Sequence, residues 1–96
     1  MLRIEFSGEL WYWRGPAPFH FVSVPEDAAL DLRVVAPVVS YGWGMIPVSA
    51  RIGTTEFTTA LIPTKGSYAM PVKDAVRVAE DLALGDLVTV ELTVRT

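Results

Sequence analysis

The sequence predicts a mostly-β domain, a small barrel carrying two short helices. Three observations point there. Apolar and polar residues alternate with period two along several stretches, the pattern of strands with one buried face. Two stretches with helical spacing each open on a proline, a residue suited to the first helical turn. The order of elements in the first half of the chain also returns in the second. Two such units paired about a pseudo-twofold axis would close a barrel and hide most strand edges.

Leu2, Ile4, Phe6, Leu10 and Tyr12 share one face of a first strand over residues 2–13, with Gly8 in line and Arg3, Glu5, Ser7 and Glu9 opposite. Gly8 is a candidate bulge, since glycine inside a strand packs nothing. Arg14-Gly15-Pro16-Ala17-Pro18 reads as a turn, and Phe19 to Val24 as a second strand. Pro25 opens a helix near 25–36, with Glu26 and Asp27 at its positive end and Ala28, Leu32, Val35 and Leu30 as the buried stripe. Pro37 is expected to stop it.

Tyr41-Gly42-Trp43-Gly44 forms a corner whose tryptophan is expected to plug one end of the barrel. Ile46, Val48, Ala50 and Ile52 then make a third strand, and Gly53-Thr54-Thr55 turns it into a fourth over Glu56–Ile62. Pro63-Thr64-Lys65-Gly66 is a polar turn, and Ser67–Met70 a short strand. Pro71 opens a second helix near 71–83, with Val72, Ala75, Val76 and Ala79 at i, i+3, i+4 and i+7. Gly85 stops it, and Val88, Val90, Leu92 and Val94 face inward from the last strand.

Ninety-six residues without a linker or low-complexity stretch read as a single domain over 1–96. A hydrophobic fraction of 51% can build a core and excludes disorder. With no cysteine, disulfides and thiolate-ligated metal centres are excluded, which fits a reducing, cytoplasmic setting. The N-terminus alternates as a strand does, unlike a signal peptide, and no apolar run is long enough to span a membrane. A net charge of −3 disfavours nucleic acid as a partner, although Arg51, Lys65, Lys73 and Arg77, against Glu56, Asp74 and Glu80, could form a local basic patch between Ser40 and Glu80.

One resemblance covers nearly the whole chain. It is carried by Gly42-Trp43-Gly44, Pro47-Val48, Arg51-Ile52-Gly53, Phe57-Thr58-Thr59 and Pro63. It continues through Pro71-Val72-Lys73, Ala75-Val76-Arg77, Gly85-Asp86 and Val88-Thr89-Val90, with a looser match through Phe6, Gly8, Leu10, Trp13 and residues 19–25. In these the chain resembles the bacterial domain-of-unknown-function family numbered nineteen-oh-five. The resemblance implies a double-split β-barrel and brings no established activity. Met70 to Val90 also resembles the swapped-hairpin unit of transition-state-regulator and antitoxin DNA-binding domains. That likeness makes a nucleic-acid-binding domain the alternative reading.

No residue set spells out catalysis. His20 is the sole histidine and stands between Phe19 and Phe21 without a local nucleophile or carboxylate signature. Glu26-Asp27 and Glu80-Asp81 are adjacent on helices, so their side chains diverge. Gly42-Trp43-Gly44 lacks the lysine and hydroxyl residue of a phosphate loop. No cofactor and no metal is therefore expected.

Trp11 and Trp13 share the parity of Arg3, Glu5 and Glu9. Either a bulge near Gly8 turns them inward, or they form an aromatic patch outside the core. At least one of Trp11, Trp13 and Trp43 is expected at a contact surface. Arg51, Lys73 and Arg77, with Lys65, could gather beside the second helix as an anion site. The reading is a non-enzymatic module, monomer or homodimer, that binds a small molecule or a protein through Trp11, Trp13, Trp43, Arg51, Lys73 and Arg77.

Overall fold

A computed structural model describes residues 1–16 and 19–95. Ala17 and Pro18, the end of the expected first turn, lie outside the described residues. The elements run β1 (Leu2–Trp13), β2 (Phe19–Ser23), α1 (Glu26–Val39), β3 (Ile46–Ile52), β4 (Thr55–Thr64), β5 (Ser67–Val72), α2 (Asp74–Ala79) and β6 (Leu87–Val94). The strands close into one antiparallel barrel in the order β1-β2-β5-β4-β3-β6, with β6 returning to β1. Exchanging β1-β2-α1-β3 for β4-β5-α2-β6 leaves that order unchanged, so the internal repeat is a property of the fold. β2 pairs with its own counterpart β5, and β3 with its counterpart β6.

The split comes from strands that change partners along their length. β1 pairs with β6 from Leu2 to Glu9 and with β2 from Leu10 to Trp13. Both registers run without interruption, so there is no bulge at Gly8 and parity holds to the strand's end. Glycine is needed there for another reason. A Cβ on Gly8 would overlap the Ser23 carbonyl oxygen and meet Val22 Cγ1 at 2.9 Å. That is where β1 crosses onto β2.

Inside lie Leu10, Val22, Met70, Val72, Leu61, Ile46, Val90, Leu92 and Val94, all fully buried, as alternation along each strand requires. Leu32 caps them from α1 and Val76 from α2. Leu2, Ile4 and Phe57, expected in the core, pack against its margin and stay partly buried. No polar or charged side chain is buried among the described residues.

The helices depart from expectation at their ends. Pro37 lies inside α1, which runs on to Val39. Proline removes one hydrogen bond, to the carbonyl of Arg33, but both residues are exposed and water can satisfy that group. The buried stripe of α1 is Ala28, Ala29 and Leu32, with Val35, Ala36 and Val39 packed beside them, while Leu30 points to solvent. Pro71 does not open α2. It sits in β5, beyond Ala69 where the β4–β5 pairing ends, so its missing N–H costs no ladder bond. α2 is six residues long, begins after Lys73 and buries only Val76. It ends at Asp81, whose φ of 51° is left-handed, and the Leu82 amide donates back to the Arg77 carbonyl at 2.9 Å. Gly85 instead donates its N–H to the Leu10 carbonyl and leads into β6. No helix among the described residues is long and apolar enough to cross a membrane.

Candidate functional site

The β1–β2 hairpin carries the densest aromatic cluster. Its register sets Trp11 opposite Phe21, Tyr12 opposite His20 and Trp13 opposite Phe19. Because the pleat sends alternate residues to opposite faces, Trp11, Trp13, Phe19 and Phe21 stand together on the outer face, the face of Glu5 and Glu9. Trp11 stacks on Phe21 with centroids 5.1 Å apart, and Phe19 leans on Phe21 at 5.9 Å. The Trp11 indole N–H donates to Ser23 Oγ at 2.9 Å, which ties the ring to β2. Pro71 lies opposite Phe21 on the other side of β2 and extends the apolar row. Trp13 is 51% exposed.

The inner face of the same hairpin leaves the barrel at Tyr12, which is exposed although its parity matches Leu10. Its ring packs against His20 at 4.8 Å, and the Arg14 guanidinium lies 6.0 Å from its centroid. His20 is thus held by a ring, with no side-chain hydrogen bond among the described residues.

The six residues singled out in the sequence do not converge. Trp11 and Trp13 share the hairpin face, and Lys73 follows Val72, the β5 partner of His20. Trp43 does not plug the barrel. It is 93% exposed at the tip of a turn closed by the Tyr41–Met45 bridge, with left-handed Gly42 and Gly44 on either side. The positive φ values of 58° and 87° turn the chain so tightly that the residue between them projects outward.

Arg51 lies on the outer face of β3, ion-paired to Glu91 across the β3–β6 register. Arg77 pairs with Asp74 at 3.0 Å, and its Nε is buried without a partner among the described residues. Arg51 and Arg77 are therefore held separately by carboxylates on different elements, and Lys73 has no ion pair among the described residues.

Arg51 borders a cleft of about 840 Å³ across the outer surface of β1, β6, β3 and β4. One cross-strand row there reads Glu5, Glu91, Arg51, Glu56. Among the described residues no group of three or more histidine, cysteine or carboxylate side chains could hold a metal ion.

Sequence reasoning missed Phe19 and Phe21 as part of the aromatic face. The signal was their parity, opposite to that of Val22 and Val24, but only the hairpin register shows which rings they meet.

No curated protein matches the chain. Residues 6–92 match the family described as Domain of unknown function (DUF1905), across the barrel from within β1 to within β6. The fold agrees with the double-split barrel that the sequence resemblance implied, and the chain belongs to the DUF1905 family.

Proposed function

We propose that this chain is a non-enzymatic binding module that engages a protein partner through the outer aromatic face of the β1–β2 hairpin. One observation carries the reading. The pseudo-equivalent β4–β5 hairpin has Ile62, Thr64, Ser67 and Ala69 in the corresponding register positions, no ring among them, and still completes the barrel. The rings on β1 and β2 therefore exceed what the fold requires of a hairpin in that place.

Their arrangement is an open row on a sheet surface, the shape that suits a protein partner. Aromatic residues at half exposure with one polar handle are what protein contact sites concentrate. A small ligand calls for a concave aromatic pocket, and neither of the two clefts described for this barrel is lined by a tryptophan. Nucleic acid would require free cations beside the rings. Arg51 and Arg77 are committed to carboxylates, which leaves Lys73 and Arg14 nearest the hairpin. The lack of cysteine fits action in the cytoplasm.

Photo-crosslinking tests this with an internal control. A photoreactive amino acid replaces Trp13 in one variant and Lys65, at the tip of the equivalent hairpin, in another, and both are irradiated in cells. Discrete protein adducts at 13 and none at 65 are expected. Equal adducts at both tips, or nucleotide adducts at 13, would overturn the reading.

A further inference from the structure

A second surface lies on α1, away from the aromatic hairpin, and its chemistry is specific enough to name an occupant. Leu30, Val34 and Val38 recur at i, i+4 and i+8, so at about 100° per residue they form one stripe. Ala28, Leu32, Val35 and Val39 occupy the opposite side of the helix and face the core. Val34 and Val38 are 78% and 81% exposed. Beyond the stripe's C-terminal end the chain continues to exposed Tyr41 and Trp43. A soluble-facing helix normally puts charge where these valines stand.

The border of the stripe is acidic. Asp27 and Asp31, one turn apart, flank its N-terminal half, and Glu26 lies on the other side. Neither Glu26 nor Asp31 has an ion-pair partner among the described residues. A cleft of about 350 Å³ opens between this flank and β1, lined by Asp27 and Asp31 from α1 and by Glu5 and Ser7 from β1. The one cation on this part of the helix, Arg33, is held by the Gly66 carbonyl.

We infer that this face docks an amphipathic helix of a partner protein with an apolar ridge and basic flanks. The ridge covers Leu30, Val34 and Val38, and its lysine or arginine side chains reach the carboxylates of the cleft. Charge complementarity selects this occupant. A second copy docking through the same face would bring these carboxylates no free cation, since Arg33, the one cation on that helix, is already bonded. An anionic lipid surface would be repelled by the same carboxylates.

The test uses the full chain, isotope-labelled for amide NMR, and a synthetic amphipathic helical peptide with leucines on one face and lysines along both flanks. The control peptide carries glutamates in place of the lysines. The lysine peptide is expected to shift amides of residues 27–43 and leave those of 11–21 unmoved. Asp27→Asn with Asp31→Asn should weaken it roughly 3- to 10-fold at low salt and much less at high salt. Val34→Asp should abolish binding. Val34 is exposed, so that variant should keep its thermal midpoint, and Val38→Asp provides a second disruption should it not. Equal binding of the glutamate peptide, or shifts confined to the aromatic hairpin, would overturn the proposal. So would self-association through the stripe, seen by sedimentation and removed by Val34→Asp, or binding of the chain to anionic vesicles.

Discussion

The β1–β2 and β4–β5 hairpins hold equivalent places in the barrel, and each lies against a strand of the other across the pseudo-twofold axis. Inside, they are alike. Leu10 and Val22 from one meet Leu61 and Met70 from the other, all fully buried. Outside, they differ. One carries two tryptophans and two phenylalanines in a stacked row, and the other carries isoleucine, alanine, threonine and serine at the corresponding positions. Symmetry thus separates the residues a hairpin needs to close the ring from those added to one copy. The helices show the same division, since α1 has fourteen residues and an uncovered apolar stripe while α2 has six.

The comparison can be broken most severely at the shared interior. Met70 is fully buried and stands opposite Val22 where the two hairpins meet, so Met70→Ala should cost roughly 2–5 kcal/mol in chemical denaturation. A loss below about 1 kcal/mol would mean that the hairpins do not share a packed core. Gly8→Ala strikes the crossing of β1 onto β2 alone. Forcing a methyl group against the Ser23 carbonyl should cost about 1–3 kcal/mol, and an unchanged thermal midpoint would refute the close approach.

Phe57, at the core's margin, sharpens the account of burial. Complete burial would make Phe57→Ala cost about 3–5 kcal/mol, but its partial exposure lowers the expected loss to roughly 1–3 kcal/mol. The outer face should matter least to folding. Trp13→Ser with Phe19→Ser makes the first hairpin tip resemble the second and should cost no more than about 1 kcal/mol, while removing crosslinked protein adducts from neighbouring hairpin positions. A large loss of stability would assign the rings to the fold. Smallest of all, Arg51→Met separates a half-exposed ion pair and should change stability by less than about 1 kcal/mol in urea titrations.

Much of the architecture was legible in the sequence because alternation propagates. Once Leu2 to Leu10 faced inward, an unbroken register carried Trp11 and Trp13 outward, one of the two readings the pattern allowed. Helix ends were less legible. Proline at position 71 looks the same before a helix as at the end of a ladder, and what decided its role was the length of the β4–β5 pairing. Asp81 ends α2 with a left-handed backbone, a job that the sequence offered to Gly85. Trp43 was misplaced because a large aromatic residue suggests burial, whereas two left-handed glycines set the direction of the turn regardless of what sits between them. The ring-on-ring contacts of Trp11 and Phe21 depend on cross-strand register, which one strand's pattern does not encode. The stripe on α1 was obscured by a helix with apolar residues on both sides, so Leu30 could be assigned to either.

The ladder that closes the barrel joins the first strand to the last, from Leu2 opposite Val94 to Glu9 opposite Leu87. It is therefore the pairing with the greatest separation along the chain, and its loop-closure entropy must be met before any of its bonds form. The two hairpins are local and can assemble first, but the ring stays open until the chain's opposite ends find each other. Folding should consequently proceed at the slow pace of non-local β topologies, milliseconds to seconds rather than microseconds. Until closure, the first and last strands both offer unpaired edges to other chains, so the interval before the barrel seals is when this protein is most exposed to aggregation.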